Sequence, residues 1–210
     1  MAAVHGPTGG GPVLRRADEL DRGAILGVLE AAFAEDPFVR WLVGGPGRAA
    51  ARRRYFELML GHIALPRGRV DVAEVDGRIV AAALWAPPGT WDLGLAESLR
   101  VLPIMVEIVG VRRFPRIAGS LDAIEGARPR EPRWLLTLVG TAPRWRRRGV
   151  GRALLAPVLG RCDRDGTVAA LETSVAANLT FYRALGFEVR HRLSLADGGP
   201  TAWVMVRYPR

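Results

Sequence analysis

The chain contains no lysine: all 30 of its cationic side chains are arginine. A phosphate-binding P-loop, which needs a Gly-Lys-Ser/Thr step, is therefore excluded. Cys162 is the only cysteine, so no intramolecular disulfide can form, and a zinc cluster lacks its thiolates. No metal site is expected, and a reducing cytoplasm suits such a chain. No apolar stretch reaches the roughly 18 residues that a membrane span requires, so no membrane partner is expected. The opening "MAAVHGPTGGGP" is rich in glycine and proline and lacks an apolar core. Residues 1–12 read as a floppy tail, not a signal peptide, with His5 idle within it.

What is present is a 210-residue chain that is 49% apolar, enough to bury a real core. Residues 13–210 read as a single domain. The net charge of +9 invites a nucleic-acid or anionic-ligand reading. Arginine without lysine, alongside abundant Ala, Gly and Pro, is however the composition of a high-GC genome. The global charge is read as a solvated surface under codon bias, and nucleic acid is not the expected partner.

Periodicity and punctuation give the elements. Val13 to Ala17 reads as a short strand, and Asp18 caps a helix running to about Phe33. Pro37 ends that helix in "AEDPF". A second helix is expected over Arg48–Ile63. "RVDVAEV" and "RIVAAALWAP" flank Asp76-Gly77, a strong hairpin signal. Trp91 to Glu125 is helical in pattern, broken near Gly110 and Pro115, and "GARPREP" comes next as a charged linker. Then come a buried strand (Trp134 to Thr141), an Arg/Gly loop, a helix from about Val150 to Arg164, and the strand "TVAALETS". A short helix over "AANLTFYRAL" stops at Gly186, and a hairpin turning at "DGGP" completes the chain. The fold class is α/β (α+β), a mostly antiparallel sheet with one central β-loop-α-β stretch.

The loop "PRWRRRGVG" (Pro143 to Gly151) carries the chemistry. A strand feeding through glycines into a helix start is an anion site, because first-turn N–H groups and the helix dipole converge there. Gly149 and Gly151 let a phosphate approach the backbone, and Arg146, Arg147 and Arg148 add charge. The dinucleotide fingerprint Gly-x-Gly-x-x-Gly fails, since Leu154 comes after Gly149-Val150-Gly151.

What remains, Arg146-x-x-Gly149-x-Gly151, resembles the acyl-coenzyme-A loop of the GNAT acetyltransferase superfamily. Downstream, "LETSVAANLTFYRALGFEV" is similar to the second half of that family's site, with Asn178 four residues before Tyr182. That step, "LETS", Pro157, "AFAEDP" and "LWAPP" are closest in pattern to puromycin N-acetyltransferase and its relatives. The resemblance runs from Val13 to the end, strongest after Trp134, although the family usually carries Val where Thr141 stands. It implies a six- to seven-stranded sheet splayed between the fourth and fifth strands, with helices on both faces. Residues 13–130 would form the acceptor side, with a helical insert at 91–127, and residues 131–210 the acyl-CoA half.

The same resemblance implies that acetyl-CoA is the cosubstrate. Its pantetheine arm would bond the backbone of Val139 and Thr141 and the side chain of Asn178, with helix capping the rival role for Asn178. Its pyrophosphate would meet the N–H groups of Arg146, Arg147, Arg148, Gly149, Val150 and Gly151, with Arg152 close by. Gly140 would house a bulge that frees an N–H for the thioester carbonyl. The acceptor amine attacks directly, so positioning and proton transfer are the catalytic tasks. Tyr182 is the expected acid for the departing sulfur and Glu172 the first choice of base; His191 or water are alternatives, and a salt-bridged Glu172 the competing reading. His62, on an apolar helix, reads as structural. Glu35, Asp36 and Trp85 are expected at the acceptor, with Trp91 and Trp203 as further apolar surfaces.

The expected substrate is a small amine, antibiotic-like or aminonucleoside-like, handled by a monomer or homodimer. Acetylation of protein lysines or N-termini is the alternative. A basic nucleic-acid module built on Arg52 to Phe56 and Arg144 to Arg148 is the third reading.

Overall fold

The computed structural model describes residues 11–45, 47–91 and 94–210. Most of the expected tail, His5 included, lies outside them. Seven strands form one sheet in the order β1-β2-β3-β4-β5-β7-β6. They are β1 (Val13–Arg16), β2 (Arg69–Val75), β3 (Arg78–Ala86), β4 (Arg133–Thr141), β5 (Val168–Thr173), β6 (Glu188–Ser194) and β7 (Thr201–Arg207). Every pairing is antiparallel except β4–β5. That parallel step requires a crossover, which helix α7 (Val150–Asp165) supplies. Asp76 (φ 49°) and Gly77 (φ 70°) are both left-handed, so the β2–β3 hairpin turns as the Asp-Gly signal requires.

Side-chain alternation along the central strands builds a core on each face. On one face Val70, Val72, Ala82, Leu84 and Leu138 pack under α1 (Arg22–Ala32), α2 (Pro37–Val43), α3 (Ala49–Leu58), α5 (Leu95–Val109) and α6 (Phe114–Gly126). On the other, Ala73, Ala81, Ala83, Trp85 and Leu136 pack under α7 and the short α8 (Asn178–Ala184). Among the described residues no helix is long and apolar enough to cross a membrane.

Three local outcomes differ from the sequence reading. Asp18 caps a single 3-10 turn, Glu19–Asp21, before α1 begins. The segment read as the end of a helix also starts one: Asp36 is extended (ψ 125°), accepts from the Val39 N–H at 2.9 Å, and places Pro37 in the first turn of α2. Beyond Leu58, helix α3 widens into a π-helical stretch, Met59–Ala64, before a last turn α4 (Leu65–Arg67). His62 lies exposed on that stretch and packs into no core.

Gly140 has a packing role. A Cβ there would sit 2.9 Å from Ala32 Cβ and 3.3 Å from Leu29 Cδ2, so α1 lies directly on this strand. The bulge expected at Gly140 is instead at Thr137, where the β3–β4 register slips between Leu84↔Leu138 and Trp85↔Leu136. Gly140→Ala should therefore cost about 1–3 kcal/mol by overpacking. A thermal melt would read this as a drop of several degrees, whereas an unchanged midpoint would show that α1 yields freely.

Candidate active site

The sheet opens at its parallel step. β4 and β5 pair from Arg133↔Val168 to Leu136↔Leu171 and no further, although β4 continues to Thr141. The bulge at Thr137 marks the point of divergence, and the Thr137 hydroxyl bonds to Leu84 O at 3.0 Å. Ala142 N–H bonds to Val80 O on β3 at 2.8 Å. Alternation then turns the N–H and C=O groups of Thr141 and Val139 away from β3, toward the opening. Those are the two residues that the sequence placed against an extended ligand.

Beyond Thr141 the backbone shapes itself for an anion. Arg146 is extended, Arg147 left-handed (φ 57°), and Gly149 left-handed again (φ 77°, ψ −7°) at the start of α7. Such alternation makes successive N–H groups converge into a concave nest. The first N–H engaged in α7 is that of Ala153, by Gly149 O at 3.0 Å. Those of Val150, Gly151 and Arg152 are left to an external acceptor. A Cβ on Gly151 would meet nothing closer than Phe181 Cζ at 3.5 Å, so the protein's own packing does not demand glycine there.

Arg146 has another job. Its N–H bonds to Pro143 O, and its guanidinium bonds to Thr141 O (3.3 Å) and Ala32 O (2.8 Å). It braces the loop to β4 and α1, so the open donors begin at Arg147. Arg148 stacks on Trp145 (5.2 Å), and Arg152 reaches Ala184 O (3.3 Å).

Under the opening lies a cavity of about 420 Å³. Tyr182, Asn178, Asp36, Tyr55, Trp91 and Arg128 all line it, with Val101, Met105 and Leu121 among its apolar residues. Asn178 is the first residue of α8 and its side chain caps nothing, which removes its capping role. Tyr182 is buried, with its ring edge-on to Phe181 (5.2 Å) and Phe187 (6.1 Å). Burial, reinforced by the Asp36 charge, pushes its phenol well above the ordinary tyrosine value, so it stays protonated. Tyr55 is shifted upward for the same reasons, with a further contribution from Glu172.

The carboxylates sort themselves by partner. Glu172 lines the cavity but is bound by Arg128 through both oxygens (2.6 and 3.0 Å), as the salt-bridged reading had it. Asp36 also lines the cavity and has no cation within ion-pairing distance among the described residues. Partial burial lifts its carboxyl above the usual carboxylate value, against the opposing pull of the Val39 and Phe38 N–H groups. The Ser174 hydroxyl accepts from the Phe38 N–H (3.2 Å), fastening the start of α2 to the end of β5 and setting Asp36 at the opening.

Several expected acceptor residues are elsewhere. Glu35 is exposed and paired with Arg40. Trp85 is fully buried in the opposite core, edge-on to Trp134 at 6.4 Å, and Trp203 packs against that same core. Neither lines the cavity. His191 is exposed on β6, outside the cavity. Trp91 does line the cavity, as expected. Arg128, in the stretch that reads as a linker, escapes sequence reasoning because nothing in its neighbourhood marks an inward turn.

Comparison with known proteins agrees with this geometry. A family profile described as an acetyltransferase (GNAT) domain matches residues 107–189. Over 95% of this chain and 97% of the other, the structure of a protein from Corynebacterium glutamicum described as "histone acetyltransferase HPA2 and related acetyltransferase" is 29% identical, with a TM-score of 0.72. The polyamine N-acetyltransferase of Drosophila melanogaster (17% identity, 94% and 99% covered, TM-score 0.64) shares the fold. So does arylalkylamine N-acetyltransferase 2 of Aedes aegypti (14%, 95% and 99%, 0.66). The split parallel step and the nest at the start of α7 both fall within the stretch that matches the profile, and the chain has the fold of the GNAT N-acetyltransferases, with residues 107–189 resembling that domain.

Proposed function

We propose that this protein transfers an acetyl group from acetyl-CoA to the primary amine of a small molecule. The observation that carries the reading is the end of β4–β5 pairing at Leu136↔Leu171, directly over the cavity that Tyr182, Asn178 and Asp36 share. The residues fit the cosubstrate. The nest from Arg147 to Gly151 suits a pyrophosphate, and the outward groups of Val139 and the N–H of Thr141 suit an extended amide-bearing arm.

Acetyl-CoA supplies a thioester, an electrophile that an amine attacks without any enzyme nucleophile. The chain's own tasks are then three. Tyr182, buried and protonated, gives its proton to the departing sulfur. Asp36, without a paired cation among the described residues, holds the incoming amine and accepts its proton. The loop and β4 fix the donor so that acceptor and acyl carbon meet in one geometry. Asp36 thus replaces Glu172 as the preferred base, because both oxygens of Glu172 are occupied by Arg128.

The walls contributed by α3, α5 and α6 favour a small acceptor over a protein segment. An antibiotic or aminonucleoside lies within that class. The nucleic-acid reading loses its aromatic contacts. Tyr55 and Phe56 are buried, while Arg53 and Arg54 are paired with Glu30, Glu57 and Glu107.

The first test is a melting curve with acetyl-CoA and with ATP at equal ionic strength. A rise specific to acetyl-CoA is expected from linkage, and an equal shift with both would reduce the nest to a generic anion site. Asp36→Asn then isolates the base. Asparagine keeps the α2 cap and removes the charge. Turnover should fall by roughly 10²-fold or more while coenzyme affinity holds. The acid limb of kcat/KM reports the protonation of Asp36, so it should lie above the ordinary carboxylate value of about 3.9 and vanish in the variant. An unchanged limb would remove Asp36 from this role.

A further inference from the structure

In the wall of the cavity, Glu125, Glu172 and the Trp91 ring surround one position. Two carboxylates and an aromatic face form a receptor for a planar cation. The position is filled by the chain itself. The Arg128 guanidinium lies 4.8 Å from the Trp91 ring centre, meets Glu172 through both oxygens at 2.6 and 3.0 Å, and bonds to Glu125. The cage is further fixed from behind, because Trp91 Nε1 donates to Glu125 at 2.9 Å and Arg133 donates to the same carboxylate at 2.8 Å. The Arg128 side chain is only 7% exposed.

The consequence concerns charge. Of the four carboxylates that line the cavity among the described residues, Glu125 and Glu172 are neutralised by Arg128 and Arg133. Asp122 is exposed, which leaves Asp36 as the inner carboxylate without a cation among the described residues. Met105, Val101 and Leu121 add apolar wall to the same cavity. A substrate ammonium can therefore be received once, at Asp36, and the rest of the acceptor should be uncharged.

We infer that Arg128 is a specificity-determining residue: a built-in guanidinium that occupies the cavity's second cation site, so that the acceptor is a primary amine with one cationic centre and an apolar body, and diamines and guanidino-amines are rejected. This rests on the acetyl-transfer reading above. The rejection is electrostatic. A second ammonium reaching past Asp36 meets Arg128 with its two counter-charges already engaged, inside a site where like charges are poorly screened.

Hexylamine and 1,6-diaminohexane, of equal length, provide the test with the unmodified protein. Hexylamine should be acetylated with a kcat/KM higher by about tenfold or more. Arg128→Ala empties the cage; the ratio should then collapse or reverse, and millimolar methylguanidinium should raise the melting temperature of the variant but not of the parent. Equal use of both amines by the parent, preference for the diamine, or turnover of other amine types alone would overturn the assignment of Arg128 while leaving acetyl transfer in place. Absence of thiol release with every amine of a broad panel would instead overturn the underlying reading. If Arg128→Ala does not fold, the parent's ratio alone decides.

Discussion

Gly151→Glu should abolish the acetyl-CoA-dependent rise in melting temperature while leaving the protein folded. Two observations separate binding from folding here. The site tolerates a side chain, since the nearest atoms to a Cβ would be Phe181 Cζ at 3.5 Å and Thr141 Oγ1 at 3.9 Å. A carboxylate in the first turn of α7 also suits the helix dipole, so the free protein should melt at the same temperature or slightly higher. The same carboxylate would cover the N–H groups of Val150, Gly151 and Arg152 and repel a pyrophosphate. A loss of affinity of about 10²-fold or more is expected, on the scale of a charge-assisted contact turned repulsive. Normal acetyl-CoA binding by the folded variant would remove this loop from coenzyme recognition. Gly149 would not serve for the experiment, because its left-handed backbone (φ 77°) makes any side chain there a folding problem.

The second large effect is expected from Tyr182→Phe. The ring remains, and with it the contacts to Phe181 and Phe187, so stability should change little. Only the hydroxyl proposed to protonate the leaving sulfur is lost. Turnover should drop at least about tenfold, within the range for general-acid catalysis, with coenzyme affinity preserved. The pH dependence has a definite sign. Burial raises the Tyr182 phenol above the ordinary value of about 10, so the acid survives into alkaline conditions and its loss cannot set an activity limit near neutrality. For stability, the folded state holds this proton more tightly than the unfolded chain does. The contribution is complete below the ordinary tyrosine value and is lost as pH rises toward the folded one. Tyr182→Phe should flatten part of that alkaline decline. An unchanged rate in the variant would reassign the acid.

Much of this is legible in the chain because it is local. The Asp76-Gly77 turn requires positive φ at both positions, and the structure has it. Gly149 and Gly151 before an amphipathic run announce a helix start with open donors, and the step from Asn178 to Tyr182 puts both residues on one side of a short helix, at the cavity. Even the unexpected α2 has its signal: Asp36-Pro37 is an N-cap with a first-turn proline behind it. The same dipeptide also ends helices, and the sequence has no means of choosing one meaning when both apply.

The sequence by itself determined the strands, the nest-forming loop, the absence of a P-loop and the protonatable Tyr182, since each depends on backbone propensity or spacing within a few residues. Only the tertiary structure decided which carboxylate is available. Glu172 and Asp36 are both carboxylates, and what separates them is Arg128, which lies 44 positions before Glu172 and turns into the cavity to bind it. It likewise decided that Trp85 packs in the opposite core against Trp134, and that Gly140 answers to Ala32 on another element. Pairing of charges and filling of space depend on distances between segments remote in sequence, and those distances exist only once the chain has folded.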